Sequence, residues 1–189
     1  MSTPTSDDFS VIGELLVVDD DPDIRELLVE HLRSRGLRVA TAADGRAAVS
    51  AIERAPGQFN LILTDLQLPG ADGLAVLRAA KRVHPACNVV IITGYASLDS
   101  AIEAVRSGAY DYLTKPFSLG QLDVILTRIR DRQALELENR QLAKQVGDRD
   151  HGPGSFAGSG AFGVQGRLDA IDGRLDRIEQ LLKDLTTRR

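Results

Sequence analysis

The chain has 189 residues, of which 43% are hydrophobic and 26% are charged, and its formal net charge is -4. This composition is typical of a globular protein with one core of ordinary size and some additional length. The single cysteine, Cys87, excludes a disulfide framework or a cysteine metal site within one chain, and we expect it to be a small buried residue. No apolar stretch approaches the roughly 20 residues that cross a bilayer, and the first residues lack a signal-peptide pattern, so we expect a cytoplasmic protein.

Short apolar runs rich in Val, Ile and Leu predict β-strands up to residue 114. These runs are residues 14–18, 37–41, 60–64, 88–93 and 110–114. The segments between them are amphipathic, and the apolar residues at helical spacing are Ile24, Leu27, Leu28, Leu32, Leu74, Leu77, Val83, Ile102, Val105 and Ala109. Strands that are apolar on both faces and alternate with helices predict a parallel sheet covered on both sides. The expected fold class is therefore α/β, flavodoxin-like, with strand order 2-1-3-4-5.

The helical pattern after residue 117 continues beyond what one sheet can cover. Ser118 and Gln121 form a capping-box signal, and the positions expected to pack on the sheet are Leu122, Ile125, Leu126 and Ile129. A second apolar stripe, rotated away from the first, follows at Leu135, Asn139, Leu142 and Val146. We therefore predict a flexible tail (1–13), an α/β domain (14–130), an extended helix (131–147), a Gly-rich linker (148–163) and an oligomerisation helix (164–187).

Three consecutive aspartates follow the first predicted strand. Asp21 precedes Pro22, a pair that is typical of a helix N-cap and first turn. Asp19 and Asp20 remain at the carboxyl end of the strand, where adjacent carboxylates repel each other unless a cation lies nearby. Asp65 ends the third strand, which neighbours the first in the expected order, so the three carboxylates should converge. Oxygen-only ligands in this number favour Mg²⁺ over zinc or iron.

The fourth and fifth predicted strands end at Thr93, a hydroxyl, and at Lys115, an ammonium. Either residue alone would more often be a strand-end residue without a role. Both lie at the edge of the sheet where parallel α/β folds bind ligands, together with the aspartates. The joint presence of a hydroxyl, an ammonium and three carboxylates at this edge therefore indicates a functional site.

The motifs VVDDD (17–21), TDLQLPG (64–70), IITG (91–94) and YLTKPF (112–117) resemble, in this order and spacing, the receiver domain of bacterial two-component response regulators. The resemblance covers about residues 14–130, and the chain is most similar to receivers of enhancer-binding activators. It implies Mg²⁺ as the cofactor and a sensor histidine kinase as the partner that supplies a phosphoryl group. The domain would then catalyse only its own phosphorylation and dephosphorylation, and we do not expect an enzyme in the usual sense.

The resemblance also assigns roles around the metal. Asp65 is implied to be the phosphoacceptor and a metal ligand. Asp20 is implied to bind Mg²⁺ directly, Asp19 to act largely through water, and the backbone carbonyl of Gln67 to be a further ligand.

Three more roles concern the phosphoryl group and the signal. Thr93 and Lys115 are implied to contact the phosphoryl oxygens, and the bond from Lys115 to Pro116 is implied to be cis. Tyr112 is implied to be a switch residue that rotates inward when Thr93 moves to the phosphoryl group. The face expected to respond is residues 97–130.

The end of the chain carries an unbroken heptad of apolar residues, which predicts a coiled coil. The expected oligomerisation positions are Val164, Leu168, Ile171, Leu175, Ile178, Leu182 and Leu185. Leu at the a positions with Ile at two of the four d positions favours a parallel homotetramer, with a trimer or dimer as alternatives. A single helix that folds back on its own domain remains an alternative to the coiled coil, because three heptads are short and Gly173 weakens them.

The sequence favours a phosphorylation-dependent switch that signals through protein contacts on the C-terminal helix. A DNA-binding transcriptional regulator is an alternative, but residues 164–189 hold one predicted helix rather than a helix-turn-helix pair. A phosphate sink or relay without its own output is a second alternative. We expect a downstream protein as partner, which the sequence does not name, and neither a membrane nor nucleic acid.

Overall fold

The computed structural model describes residues 9–95 and 97–147, with side chains up to residue 140. The predicted linker (148–163) and the predicted coiled coil (164–187) lie outside the described residues, as do all the oligomerisation positions. The side chains of Leu142 and Val146 in the second stripe also lie outside them.

A five-stranded parallel sheet with helices between the strands forms the centre of the described chain. The strands are β1 (Glu14–Val18), β2 (Arg38–Ala42), β3 (Phe59–Thr64), β4 (Asn88–Thr93) and β5 (Asp111–Thr114). The helices are α1 (Pro22–Ser34), α2 (Gly45–Arg54), α3 (Gly73–Val83), α4 (Leu98–Arg106) and α5 (Leu119–Gly147), and a single 3-10 turn covers Ser10–Ile12. The strand order is β2-β1-β3-β4-β5, which confirms the predicted flavodoxin-like fold.

The central strands are buried along most of their length because helices cover both faces of the sheet. Strand β2 is different, since Arg38 and Thr41 are exposed and only Ala42 is fully buried. The prediction that every strand is apolar on both faces was therefore wrong for β2, which lies at an edge of the sheet. Cys87 precedes β4 and is 1% exposed, and burial raises the pKa of its thiol to about 12. The interpretation of Cys87 as a small buried residue is confirmed.

The buried faces of two helices differ from the predicted faces. On α1, Leu28 and Leu32 are buried as predicted, but Leu27 is 44% exposed. On α4, the sheet contacts come from Ala101 and Ala104, whereas Ile102 is 41% exposed. The large apolar residues dominated the sequence pattern, although small alanines are the residues that let α4 approach the sheet.

The N-terminal segment also differs from the flexible tail expected for residues 1–13. Phe9, directly before the 3-10 turn, is 3% exposed, and Ile12 in the turn is 0% exposed. Both belong to the same core cluster as Ile129. The guanidinium carbon of Arg130 lies 5.2 Å from the centroid of the Phe9 ring, a cation–π distance. The folded domain thus begins no later than Phe9, and this segment closes the amino end of the sheet.

Helix α5 begins with the predicted capping box. The Ser118 amide donates to Gln121 Oε1 at 2.8 Å, and the Gln121 amide donates to Ser118 Oγ at 3.3 Å. Its predicted core residues are all buried, namely Leu122, Ile125, Leu126 and Ile129. Farther along, Leu135 and Leu137 are 60% and 52% exposed, and one compact unit of the chain ends at Asp131. Among the described helices, none combines the length and the apolar character that a membrane span needs.

Candidate functional site

The loop after β1 separates its three aspartates into different roles. Asp21 is the N-cap of α1, and its Oδ1 accepts hydrogen bonds from the amides of Asp23 at 2.9 Å and Ile24 at 3.4 Å. The predicted capping role is confirmed. Asp19 is 1% exposed, whereas Asp20 is open to solvent, so the loop presents one buried and one exposed carboxylate.

The carboxylates of Asp19, Asp20 and Asp65 meet at the carboxyl end of the sheet, with one oxygen from each within 4.8 Å of the others. Strand pairing produces this cluster, because the Asp65 amide donates to the carbonyl of Val18 at 2.9 Å and so aligns the ends of β1 and β3. The donors are hard carboxylate oxygens, and exposed Asp20 leaves one side open to water. This set fits Mg²⁺, which keeps several of its waters, better than a metal that prefers nitrogen or sulfur.

Lys115 supplies a positive charge inside this cluster. Its Nζ lies 2.7 Å from Asp65 Oδ2 and 2.8 Å from Asp19 Oδ2. Burial alone would lower the pKa of Lys115, but the hydrogen bonds to Asp19 and Asp65 outweigh it and the pKa is raised. Burial raises the pKa of Asp19, although Lys115 and the amide of Asp21 act in the opposite direction. The ammonium therefore holds two carboxylates that would otherwise repel each other.

The backbone positions Lys115 for this contact. Its amide donates to the carbonyl of Thr93 at 2.8 Å, which extends the pairing of β4 and β5 by one residue. The bond from Lys115 to Pro116 is cis, in agreement with the prediction.

Asp65 is held at both of its carboxylate oxygens. Lys115 binds Oδ2, and the Gln67 amide donates to Oδ1 at 3.0 Å. The start of α3 packs directly against the Asp65 backbone, where a Cβ at Gly73 would lie only 2.1 Å from the carbonyl oxygen of Asp65. An open groove leads from Asp65 to the surface, and its lining includes Asp20, Gln67 and Tyr95. Asp65 is thus reachable from outside although it is 8% exposed.

The two predicted switch residues are both buried. Thr93 is 0% exposed, and its Oγ1 accepts a hydrogen bond from the Tyr95 amide at 3.2 Å. Tyr112 is 5% exposed, and burial raises the pKa of its phenol. Its side chain is therefore already inside, whereas the resemblance implied an inward rotation on phosphorylation.

Sequence reasoning missed the contact that holds Tyr112. The phenol oxygen lies 3.1 Å from Oγ of Ser100, which belongs to the first turn of α4. No sequence signal joins these residues, because the contact depends on how α4 is rotated on the sheet. The sequence signal at Ser97 and Ser100 is only that of small polar residues typical of a helix start.

Comparison with known families gives a match to the response regulator receiver domain over residues 15–127. The chain belongs to this family. Proteins of the family are phosphorylation-dependent signalling modules, and the resemblance drawn from the four sequence motifs is thereby confirmed.

Similar proteins come from regulators of the same class. The chain is 42% identical over 134 residues to the response regulator protein PilR of Pseudomonas aeruginosa. This match covers 68% of this chain and 30% of PilR. The receiver domain of NtrX from Brucella abortus is 38% identical with a TM-score of 0.56, and the match covers 62% of this chain and 98% of that one. The beryllofluoride-activated NtrC4 receiver domain dimer is 32% identical with a TM-score of 0.58, over 64% of this chain and 98% of that one. This chain spans about a third of the length of the curated relatives it matches.

Proposed function

We propose that this receiver domain accepts a phosphoryl group on Asp65 from a phosphohistidine of a sensor histidine kinase. The observation that carries the proposal is the position of Asp65, whose carboxylate lies at the base of an open groove beside an ammonium and two further carboxylates. One oxygen of Asp65 forms a bond to phosphorus while the bond from phosphorus to the histidine nitrogen breaks, and the electron pair stays on the imidazole.

The residues around Asp65 suit the charge of this reaction. The incoming group carries negative charge to a site that already holds three carboxylates, so the transfer needs nearby positive charge. Lys115 is the cation at hydrogen-bond distance from Asp65, and its ammonium can exchange Asp65 Oδ2 for a phosphoryl oxygen with little movement. The Gln67 amide keeps the other carboxylate oxygen fixed, which orients the nucleophile.

Mg²⁺ is the cofactor that we propose for this cluster, where it would neutralise charge on the transferred group. The residues expected to hold it are Asp19, Asp20, Asp65 and the backbone carbonyl of Gln67. Buried Asp19 is bonded to Lys115 and to the amide of Asp21, whereas exposed Asp20 is open to water. This difference supports Asp20 as the direct ligand and Asp19 as a ligand acting through water.

We further propose that the signal leaves through Thr93 and Tyr112 to the face formed by residues 97–130. Thr93 ends β4 next to Lys115, and Tyr112 pairs with Ile91 in the neighbouring strand. Thr93 Oγ1 accepts a hydrogen bond from the Tyr95 amide, and a phosphoryl group on Asp65 would offer the hydroxyl hydrogen of Thr93 a charged acceptor. Movement of Thr93 would change the packing around Tyr112 and so the position of α4.

The output that we propose is a protein contact made by a homo-oligomer, with a tetramer favoured. The exposed leucines of α5, Leu135 and Leu137, support an apolar surface beyond the sheet domain. The similar NtrC4 receiver domain is described as a dimer in its activated state. The downstream protein would recognise the assembled or the switched form.

The phosphorylation proposal is tested by incubating the purified chain with acetyl phosphate and Mg²⁺ and measuring its intact mass. We expect the mass of one added phosphoryl group on the wild type and none on Asp65→Asn. Asp72→Asn is the matched control, because Asp72 lines the same groove as an N-cap that asparagine can replace, and it should be labelled like the wild type. Labelling of Asp65→Asn at the wild-type level would contradict the proposal.

The oligomer proposal is tested separately by light scattering, with and without beryllofluoride and Mg²⁺ as a phosphoryl mimic. A tetramer in both states would make the oligomer a constitutive platform, and a tetramer only with the mimic would make assembly the output. A monomer in both states would contradict the oligomer but leave the phosphorylation proposal intact.

A further inference from the structure

We propose that Ser100 is a positioning residue for Tyr112, and that its hydroxyl holds the phenol inside the domain and joins the switch to the first turn of α4. The inference rests on the proposed function, because it concerns the route by which a phosphoryl group on Asp65 would reach α4. Nothing in the family motifs involves Ser100, which lies in none of the four motif segments.

Ser100 belongs to a capping box at the start of α4. The Ser100 amide donates to Ser97 Oγ at 3.1 Å, and the Ser97 amide donates to Ser100 Oγ at 3.1 Å. Ser100 Oγ also lies 2.9 Å from the Ser97 carbonyl oxygen, which can only accept, so Ser100 donates its single hydrogen there. The hydroxyl hydrogen of Ser100 is then used, and the phenol of Tyr112 must be the donor in the contact between them.

Several hydrogen-bond donors compete for the hydroxyl oxygen of Ser100. A hydroxyl oxygen accepts two hydrogen bonds, and three donors lie within reach, namely the Ser97 amide, the Ser97 hydroxyl at 3.0 Å and the Tyr112 phenol at 3.1 Å. When the phenol leaves, the Ser97 hydroxyl can take its place without loss to Ser100. The phenol would leave for water, which can replace the lost hydrogen bond. The contact is thus strong enough to order Tyr112 and weak enough to release it.

The direction of the effect follows from the observed position of Tyr112. Tyr112 is 5% exposed and its phenol oxygen lies 3.1 Å from Ser100 Oγ, so Ser100 stabilises the inward position of the side chain. If phosphorylation favours the inward position, the Ser100 hydroxyl already stabilises that position. Removing this hydroxyl should therefore weaken binding of a phosphoryl mimic. A net hydrogen bond of ordinary strength predicts a roughly three- to tenfold change in affinity.

The test is a double-mutant cycle on the full chain, read as the apparent affinity for beryllofluoride in the presence of Mg²⁺ by amide NMR signals of β4 and β5. We expect Ser100→Ala and Tyr112→Phe each to weaken binding roughly three- to tenfold, and the double variant to be no weaker than either single one. Ser100→Thr keeps the hydroxyl and should bind like the wild type.

Ser97→Ala is the matched control, because it removes a capping bond from the same turn but leaves the Ser100 hydroxyl for Tyr112. It should change the unfolding midpoint and should not weaken binding of the mimic. Additive effects in the cycle, an unchanged affinity of Ser100→Ala, or an equal loss in Ser97→Ala would overturn the inference. Failure of the proposed function would look different, since Asp65→Asn would then bind the mimic as well as the wild type does.

Discussion

The two ends of the central sheet are built from opposite kinds of residue. At the carboxyl end, Asp19 and Asp65 lie almost buried around one ammonium, that of Lys115. At the amino end, Phe9 and Ile12 close the core with apolar contacts. Parallel strands bring like ends together, so each end of the sheet can be specialised as a whole.

The two ends differ in what they contribute to the stability of the domain. Burying a carboxylate costs free energy that a nearby ammonium offsets only in part, so the carboxyl end adds little net stability. Burying apolar side chains stabilises the folded state. A site held in an unfavourable charge state can persist because the opposite end of the same core compensates for it.

The largest effect is expected at the amino end. Ile12→Ala should lower the free energy of unfolding by about 4 kcal/mol, because the side chain is fully buried and its loss leaves a cavity. Val11→Ala is the matched control in the same 3-10 turn, and it should change the value by less than about 0.5 kcal/mol since Val11 is 39% exposed. Urea unfolding measures both, and equal losses in the two variants would show that this segment does not close the core.

The next effect is expected at the carboxyl end. Lys115→Met should lower the free energy of unfolding by about 3 kcal/mol at neutral pH without divalent cations, since two facing carboxylates lose their shared ammonium. Adding Asp65→Asn to this variant removes one of the two charges and should restore part of the loss. An identical loss with and without Asp65→Asn would contradict the view that repulsion at this end is offset by Lys115.

The sequence predicted the carboxyl end of the sheet far better than the amino end. Strand-end aspartates, Thr93 and Lys115 occur at fixed places in a periodic pattern, and the strand order then brings them together. Ile12 lies in a single 3-10 turn and Phe9 directly precedes it. This segment is too short to show a period, so the burial of both residues depends on the shape of the finished core.

The contacts of individual side chains also could not be predicted from the sequence. Tyr112 contacts Ser100, and this contact depends on the rotation of α4 about its axis. Apolar spacing predicts the wrong rotation, because Ile102 is exposed. Small residues such as Ala101 give a weak periodic signal even where they make the sheet contact. Patterns of hydrophobicity thus locate elements and strand ends more reliably than they set the rotation of a helix.

A smaller effect is expected for the contact between Arg130 and Phe9 at the amino end. Arg130→Gln should lower the free energy of unfolding by about 1 kcal/mol, because it removes the cation over the Phe9 ring. Arg128→Gln changes an exposed arginine two residues earlier on the same helix and should have no measurable effect. The same small change in both variants would mean that the cation contributes nothing at this site.

The smallest effect concerns pH and Tyr112. Burial raises the pKa of this phenol above its usual 10.0, so the folded chain keeps the proton at a pH where the unfolded chain has lost it. The stability from this proton is complete below pH 10.0 and is lost as the pH rises through the folded-state pKa. Unfolding free energies at mildly and strongly alkaline pH should fall more steeply for the wild type than for Tyr112→Phe. Parallel slopes would show that the phenol is not shielded in solution.

The most direct test of Asp65 as the phosphoacceptor is to locate the phosphoryl group itself. The chain is treated with acetyl phosphate and Mg²⁺, the acyl phosphate is reduced with borohydride, and the peptides are sequenced by mass spectrometry. We expect homoserine in place of Asp65, and unchanged aspartate at Asp19 and Asp20. Homoserine at Asp19 or Asp20 with Asp65 unchanged, or no reduction product at any of the three, would contradict the assignment of Asp65 as the phosphoacceptor.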